Sequence, residues 1–321
     1  MHIFITGASG FVGGAAARHL IAAGHSVSAM SRSGRSDEKI RALGATPVRC
    51  DLENVSAEHL NGADAVVHAA AFVEAWGPKD AWYKSNVLGT EAVLAAAKGA
   101  GAKRFIHIGT EAAICHGQDV NGADESYPLA PQSPYPYCAT KAQAEMRVRA
   151  ANAPGFETIV LRPRFIWGPG DETLLPAILG MAEAGKWVWI DGGAAMTSTI
   201  HIDNLNHAIE LALTKGQGGE AYFILDEGAI SVKAMIGAMT ETKGVTLPEK
   251  SAPSWLLRGV AWACENIWRL FGIKSAPPIT RHMVMVMRCD CVLDGSKARA
   301  ELGYAPVISR EAGLAAMKAA A

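Results

Sequence analysis

The first thirteen residues constrain the fold of this chain most strongly. The apolar run Ile3–Ile5 stops at Thr6, and glycines follow at positions 7, 10 and 13. The alanine-rich stretch 14–23, which is followed by Gly24, is typical of a helix. A strand, a glycine turn and a helix in this order form a site for the pyrophosphate of a dinucleotide, because the first N–H groups of the helix point at the phosphates. The plainer alternative is a glycine-rich turn that only packs.

Each glycine of this turn has its own predicted role. Gly7 permits the tight turn, Gly10 lets the backbone approach the phosphates, and Gly13 lets the helix lie close to the strand. We expect the whole turn to contact the dinucleotide. The predicted contacts here are Thr6, Gly7, Ser9, Gly10, Phe11, Val12 and Gly13.

Strand and helix signals alternate through the first half of the chain. Short apolar runs at 26–30, 65–69, 104–108 and 158–161 are separated by helical segments such as 80–98. This alternation predicts an α/β fold, a Rossmann-type doubly wound parallel sheet with helices on both faces.

The alternation becomes irregular beyond Pro163, where prolines, glycines and most of the tryptophans lie. We therefore expect a smaller, less regular C-terminal substrate domain. Residues 1–165 form the predicted dinucleotide-binding domain, to which 198–228 return. The predicted substrate-binding region comprises 166–197 and 229–321.

Composition excludes several classes of function. The chain has 321 residues, half of them apolar, and 30 basic against 31 acidic side chains. A formal charge of −1 argues against nucleic acid as an electrostatic partner. No apolar run reaches the length of a membrane-spanning helix. The six cysteines have no spacing typical of a metal site, so we expect reduced thiols, no metal and a cytoplasmic location.

The residues after the second strand bear on which nicotinamide cofactor is bound. Arg32, Ser33 and Arg35 follow that strand, and no acidic residue appears before Asp37. An acid at this place would accept hydrogen bonds from a free ribose hydroxyl, whereas arginine suits a 2′-phosphate. We therefore expect NADP(H) to be preferred, with NAD(H) as the alternative. The alternative is that these residues bind no ligand and form a basic turn exposed to water.

A further strand candidate at 47–50, the third in chain order, is followed by Asp51 and Leu52. Both are predicted to contact the adenine. Asp51 could equally cap the next helix.

Tyr137 and Lys141 form the predicted catalytic pair. They are four residues apart on a predicted helix and so share one face. A phenol with a pKa of about 10 is a weak catalyst at neutral pH, and a neighbouring ammonium is expected to lower that pKa. The lysine could also bind the ribose. Thr110, at the carboxyl end of the fifth strand, could hold a carbonyl oxygen against Tyr137, or could cap a helix that starts at Glu111.

These motifs occur together and in order. They are Thr-Gly-x-x-Gly-x-x-Gly at 6–13, Asp51-Leu52, His68-Ala-Ala-Ala71, Asn86-Val-x-Gly-Thr90, Tyr137-x-x-x-Lys141 and Leu161-Arg-Pro-x-x-Ile-Trp-Gly-Pro-Gly170. The set resembles the extended short-chain dehydrogenase/reductase superfamily, which is epimerase/dehydratase-like. Segments 174–176, 198–204 and 254–271 are similar to its 3β-hydroxysteroid dehydrogenase branch. Two departures are Thr110, where the family usually has serine, and the missing acid after the second strand.

The resemblance implies the residue roles. Tyr137 would be the general acid in reduction, Lys141 would tune it and hold the ribose, and Thr110 would orient the carbonyl. Asn86 would brace the active-site water network or a backbone kink, or simply lie in a helix. Further dinucleotide contacts are expected at Ala69, Ala70, Ala71, Arg162 and Pro163. Expected substrate contacts are Phe72, Glu111, Arg164, Phe165, Trp167 and His201.

The leading functional interpretation is therefore an oxidoreductase that acts on a ketone or secondary alcohol of a small hydrophobic molecule. A sugar-nucleotide epimerase or dehydratase would need basic residues for a diphosphate, and 172–200 offer only Lys186. A non-catalytic dinucleotide sensor would not need Tyr137, Lys141 or Thr110. The expected partners are a hydrophobic substrate and a second copy of the chain. The tryptophan-rich helix 254–271 could line a cavity, form a dimer face, touch a membrane or simply be buried.

Overall fold

The computed structural model describes residues 1–74, 76–78 and 80–319. Its strands are β1 His2–Thr6, β2 Ser26–Ser31, β3 Thr46–Arg49, β4 Ala65–His68, β5 Arg104–Ile108, β6 Val120–Ala123, β7 Glu157–Pro163, β8 Ile166–Trp167, β9 Trp189–Ile190, β10 Met196–Thr197, β11 Ile200–His201, β12 Ala221–Ile224, β13 Ile230–Ser231, β14 Ser251–Ala252 and β15 Cys291–Leu293. Its α-helices are α1 Phe11–Ala22, α2 Gly34–Ala42, α3 Gly89–Gly99, α4 Pro136–Ala150, α5 Leu174–Glu183, α6 Ile202–Ala212, α7 Val232–Glu241, α8 Ser254–Leu270, α9 Arg281–Arg288 and α10 Arg310–Ala319.

A seven-stranded parallel sheet forms the centre of the fold, in the order β12-β7-β5-β4-β1-β2-β3. Side chains alternate between its faces, as the strand period requires. Ile3 and Ile5 belong to the apolar core that α1 and α6 cover, whereas Phe4 belongs to the core that α3 and α4 cover. The predicted doubly wound Rossmann-type sheet is confirmed.

The chain order reverses at β1, which has β2 on one side and β4 on the other. Loops after the two central strands therefore diverge to opposite faces and leave a crevice at the carboxyl edge of the sheet. Ligands bind at this point in open α/β sheets.

A smaller four-stranded sheet of order β13-β10-β15-β6 lies beside the central one. Its β10–β13 pair is antiparallel, and the other two pairs are parallel. Strand β6 comes from residues before 165, and β12 returns from the later residues to the central sheet, where it pairs with β7.

The predicted helix 80–98 contains a π-helical turn at Tyr83–Leu88, which runs directly into α3. Such turns bulge an α-helix by one residue and often mark functional sites. Among the helices of the described residues, none is both long and apolar enough to cross a bilayer.

Gly13→Ala should reduce the free energy of unfolding by about 1–3 kcal/mol, because the added Cβ has no room. That Cβ would lie 2.4 Å from the Gly7 carbonyl oxygen, which is backbone and cannot move aside cheaply. A Cβ at Gly10 would meet the same oxygen only at 3.5 Å, so Gly10→Ala is the matched control. Urea unfolding of both variants measures the difference, and equal stabilities would contradict the close packing of α1 on β1.

Candidate active site

The glycine turn lies against the segment that follows β4. Gly7 has a φ of +77°, and a Cβ there would lie 2.8 Å from the Ala70 amide nitrogen. Gly10 is the residue before α1, and no side chain among the described residues caps that helix end. Its first N–H groups are therefore available to a ligand. The cradle fits a pyrophosphate, with the turn and Ala69–Ala71 as its walls.

Thr6 supports this cradle from below. Its buried hydroxyl accepts a hydrogen bond from the Ala70 amide at 3.1 Å and contacts His68 Nδ1 at 2.7 Å. His68 Nε2 in turn contacts the Thr90 hydroxyl at 3.0 Å. Burial, together with the charge of Lys141, lowers the pKa of His68 to about 3, so the imidazole is neutral. The Thr6 side chain therefore shapes the turn, in addition to any ligand contact of its backbone.

The basic turn after β2 is exposed. Ser33 caps α2 by accepting a hydrogen bond from the Ser36 amide at 3.2 Å. Arg32 and Arg35 are exposed and form no salt bridge with any residue that the structure describes. Asp37, the first acid after the strand, is engaged by Arg49. Two guanidiniums therefore stand at this end of β2 without a salt-bridge partner among the residues described.

Asp51 caps the turn that follows β3. Its Oδ1 accepts hydrogen bonds from the amides of Glu53 and Asn54 at 2.9 and 3.0 Å. Leu52 packs closely on Gly89, where an added Cβ would lie 2.9 Å from Leu52 Cδ1. The contacts of Asp51 in this structure are those of a capping residue, as the second of its two predicted roles requires, but Asp51 caps a turn and not a helix.

Lys141 ties α4 to the end of β5. Its ammonium donates a hydrogen bond to the Ile108 carbonyl oxygen at 2.8 Å and lies 3.4 Å from His107 Nε2. Burial lowers the pKa of Lys141 to about 8, against the opposing charge of Glu145. The lysine that the sequence identifies is therefore held at the carboxyl edge of the sheet.

Tyr137 lies on the same helix, but its pKa moves opposite to the expected direction. Burial raises the pKa of the phenol, the Glu111 carboxylate raises it further, and only the Thr110 hydroxyl acts to lower it. The expectation that Lys141 lowers this pKa is wrong in this structure, because desolvation of the phenolate dominates and the ammonium is directed at Ile108. The phenol is therefore fully protonated and can act as a proton donor.

Thr110 acts as a cap, which was one of its two predicted alternatives, and it also lies beside Tyr137. It caps a 3₁₀ turn at Glu111–Ile114 by accepting from the Ala112 amide at 3.2 Å, and it lies close enough to Tyr137 to affect the phenol pKa. The Thr110 hydroxyl donates to Glu111 Oε2 at 2.7 Å. The threonine is thus anchored by its cap and its carboxylate beside the phenol.

Glu111 and Arg164 form a buried ion pair behind Thr110. Arg164 Nη1 lies 2.6 Å from Glu111 Oε1, and its Nε donates to the Thr197 hydroxyl at 2.7 Å. The two charges compensate each other. Both residues are predicted substrate contacts, but in this structure they are buried and bond each other, and Glu111 also accepts from Thr110. Sequence spacing did not reveal this pairing.

Asn86 braces the backbone of Phe72. Its side-chain oxygen accepts from the Phe72 amide at 2.7 Å, and its side-chain nitrogen donates to the Phe72 carbonyl and to the Thr140 hydroxyl. The π-helical turn presents Asn86 to this segment. Asn86 thus links the loop after β4 to the helix that carries Tyr137, in agreement with the backbone-kink interpretation.

Three expected ligand contacts are not supported by the structure. The Arg162 guanidinium is fully buried and bonds Glu145, with Nε 2.9 Å from Oε2, so it is not available to the dinucleotide. Trp167 and His201 are fully buried and pack edge to face with ring centroids 4.7 Å apart. His201 caps α6, and the Trp167 indole donates to Asp226, so both serve the packing of β8 and β11.

The remaining expected contacts are distributed around the site. Pro163 ends β7. Phe165, two residues later, has a φ of +46° and packs half-buried against the apolar cluster that contains Ile178 of α5. Phe72 is half-buried beside Trp82, with the ring centroids 5.2 Å apart. Phe72 is also the residue whose backbone Asn86 binds.

Sequence reasoning missed His282 on α9. Its ring centroid lies 5.8 Å from the rings of both Tyr135 and Tyr137. Burial lowers the pKa of His282 against the charges of Glu111 and Glu265, and its Nε2 has no hydrogen-bond partner among the described residues. No motif surrounds His282 in the sequence, so only the fold could bring it to the tyrosine.

Comparisons with known proteins show the family to which the chain belongs. The model of the NAD dependent epimerase/dehydratase family matches residues 3–224. The chain belongs to that family. It is 39% identical to 4-hydroxy-2-methyl-3-oxo-4-farnesyl-3,4-dihydroquinoline-1-oxide ketoreductase of Stigmatella aurantiaca, over all of this chain and 96% of the relative. It is 34% identical to 2-alkyl-3-oxoalkanoate reductase of Stenotrophomonas maltophilia, over 99% of both chains.

A steroid-type relative and a solved structure extend the comparison. The chain is 29% identical, over 98% of both chains, to the decarboxylating sterol-4-alpha-carboxylate 3-dehydrogenase of Dictyostelium discoideum. The crystal structure of gox2253 superposes with a TM-score of 0.79 and 28% identity, over 99% of this chain and 98% of the other. The resemblance to the extended short-chain superfamily and its 3β-hydroxysteroid branch is confirmed. The chain is an NAD(P)-dependent dehydrogenase/reductase of this family.

Proposed function

We propose that this enzyme reduces a ketone on a small hydrophobic molecule to the secondary alcohol, or catalyses the reverse oxidation, with NADP(H). The proposal rests mainly on one arrangement. A protonated, half-buried Tyr137 and the buried Lys141 stand on α4 at the carboxyl edge of the sheet, the edge that also carries the glycine cradle. Hydride chemistry needs these two elements side by side.

The bound cofactor supplies the hydride, and the protein supplies position and a proton. The glycine turn and the start of α1 would hold the pyrophosphate, and Lys141 would hold the nicotinamide ribose. The Thr110 hydroxyl, which donates to Glu111 in this structure, would turn its hydrogen bond to the substrate oxygen and orient that oxygen toward Tyr137. The Tyr137 hydroxyl then donates its proton to that oxygen as the carbonyl carbon is reduced. Because the phenol carries its proton in this structure, the step does not require Lys141 to lower the pKa of Tyr137 beforehand.

The surroundings of the phenol favour an apolar substrate. Phe72, whose backbone Asn86 binds, and Tyr135, which contacts the same His282 ring as Tyr137, contribute aromatic surface. The buried Arg164 is already neutralised by Glu111. A nucleotide sugar would need cations for its diphosphate. Residues 172–200 contain one basic residue, Lys186, and it is exposed to solvent. Two relatives are named for the reduction of 3-oxo compounds. We therefore infer a 3-oxo compound with an alkyl or prenyl substituent as the substrate class.

The assembly and the division of the chain are also proposals. Tyr83, Leu88 and Met146 are large exposed apolar side chains on neighbouring helical segments around α3 and α4. We infer that this face pairs two copies into a homodimer. Residues 166–197 and 229–321 would select the substrate. We also infer that the enzyme works in the cytoplasm, where NADP(H) is available.

Tyr137→Phe should lower kcat by about 10²–10⁴-fold, because it removes the proton donor. The dissociation constant for the cofactor should change little, since the phenol ring remains. Turnover of a 2-alkyl-3-oxoalkanoate, followed by cofactor absorbance, measures the first, and fluorescence titration measures the second. Tyr135→Phe is the matched control and should keep most of the activity. Retained turnover in Tyr137→Phe would refute the assigned role.

Arg32→Ala should raise the KM for NADPH by about 10–100-fold, because this factor corresponds to the loss of one charged hydrogen bond to the phosphate. The KM for NADH should stay within about twofold, because that cofactor lacks the 2′-phosphate. Arg41→Ala, at the other end of α2 and exposed, is the control for the loss of positive charge. Equal losses for both cofactors would contradict the preference for NADP(H).

A further inference from the structure

Helix α8 exposes a broad apolar face. Of its residues, all of which are described, Ala261 alone is buried. The exposed fraction reaches 74% for Trp255, 58% for Trp262 and 79% for Leu270. The turn after the helix continues this surface with Phe271, which is 72% exposed. Large apolar side chains this exposed and this close together mark an interaction site.

The opposite side of α8 is the side that packs. Leu257 and Ala261 contact an apolar cluster that contains Ile190 and Val284. At about 100° per residue, the exposed Trp255, Leu256, Val260, Trp262, Ile267 and Leu270 all lie on the side away from Ala261. The helix is therefore apolar on both sides. A helix of this kind is stable only when something covers its second side.

Positive charges border the exposed face. Arg258 and Arg269 lie along one flank of α8, and Lys274 follows the helix. None of these three forms a salt bridge with a residue that the structure describes, and Glu265, the acidic residue of α8, is paired with Arg281. The Arg269 guanidinium instead stacks on the Trp76 ring at 4.4 Å. The border is thus complementary to a negatively charged surface.

We propose that α8 lies on the surface of a bilayer that contains anionic lipids, with its exposed apolar face in the headgroup region. Tryptophans at an apolar face and arginines at its border are the features of an interfacial helix. At 17 residues the helix is about 26 Å long and would lie along the surface. A second copy of the chain fits this face less well, because symmetric pairing would oppose the same unpaired cations.

The proposed membrane surface adjoins the active site. Helix α8 packs on α9, whose His282 contacts the Tyr137 ring. Trp76, which meets Arg269, belongs to the segment that follows Phe72. If the proposed function holds, a hydrophobic substrate could pass from the lipid to the site along this edge. The binding itself does not depend on that function.

Vesicle flotation with the full-length protein tests the proposal without any measurement of turnover. The protein should float with vesicles of equal parts phosphatidylcholine and phosphatidylglycerol, and less with phosphatidylcholine alone or at high salt. Trp262→Ser combined with Leu270→Ser should lower the partition coefficient by about tenfold or more. Arg258→Gln combined with Lys274→Gln should weaken binding to the anionic vesicles selectively. Val307→Ser, which is exposed outside this face, is the matched control and should not change binding.

Bromine-labelled lipids give a second readout on the unaltered protein. Quenching of tryptophan fluorescence by brominated acyl chains would show that Trp255 and Trp262 enter the interface. An absence of both flotation and quenching would overturn the proposal. A second result would also overturn it: the unaltered protein does not bind vesicles, and the mass measured by light scattering halves in the Trp262→Ser, Leu270→Ser variant. That result would mean that a second copy of the chain covers the face.

Discussion

The hydrogen bond from the Lys141 ammonium to the Ile108 carbonyl oxygen holds the active site together. It joins the catalytic helix α4 to the carboxyl end of a central strand, in a place that water does not reach. Because the glycine turn stands at the same edge of the sheet, this contact helps to hold the phenol of α4 on the edge that carries the predicted dinucleotide cradle. A buried ammonium without such an acceptor would be costly, so the position of α4 is tightly specified.

Burial determines the charge state of the two reactive groups. Desolvation raises the pKa of Tyr137 and lowers that of Lys141 to about 8. The phenol is neutral and carries its proton, and the ammonium can lose part of its charge near neutral pH. A phenol that carries its proton suits the reduction of a carbonyl, since the phenolate appears only as the alcohol forms. The compensated Glu111–Arg164 pair fixes Thr110 without adding net charge to this environment.

Local patterns in the sequence predicted the parts of the structure that depend on near neighbours. The glycine spacing identified the turn, strand periodicity identified most of the central sheet, and the Tyr137–Lys141 spacing identified one helical face. The sequence also predicts that 198–228 return to the first domain, without locating the strand Ala221–Ile224. Features that depend on tertiary contacts escaped it. The ion pair of Arg162 with Glu145, the packing of Trp167 on His201 and the approach of His282 to Tyr137 join distant segments, and no spacing encodes them.

The direction in which the Tyr137 pKa shifts also could not be predicted from local sequence patterns. Helical spacing correctly places lysine and tyrosine on one turn, but the pKa depends on the depth of burial and on where the ammonium points. Both depend on β5 and on the Glu111 turn, which pack against α4 from elsewhere in the chain.

The central claim is that the dinucleotide and a ketone meet directly beside Tyr137. The most direct measurement is the fate of deuterium carried at C4 of the reduced nicotinamide during conversion of a 2-alkyl-3-oxoalkanoate. The account predicts that one labelled face of the nicotinamide delivers its deuterium to the carbon that bears the new hydroxyl. An alcohol product free of deuterium from either labelled face would contradict it.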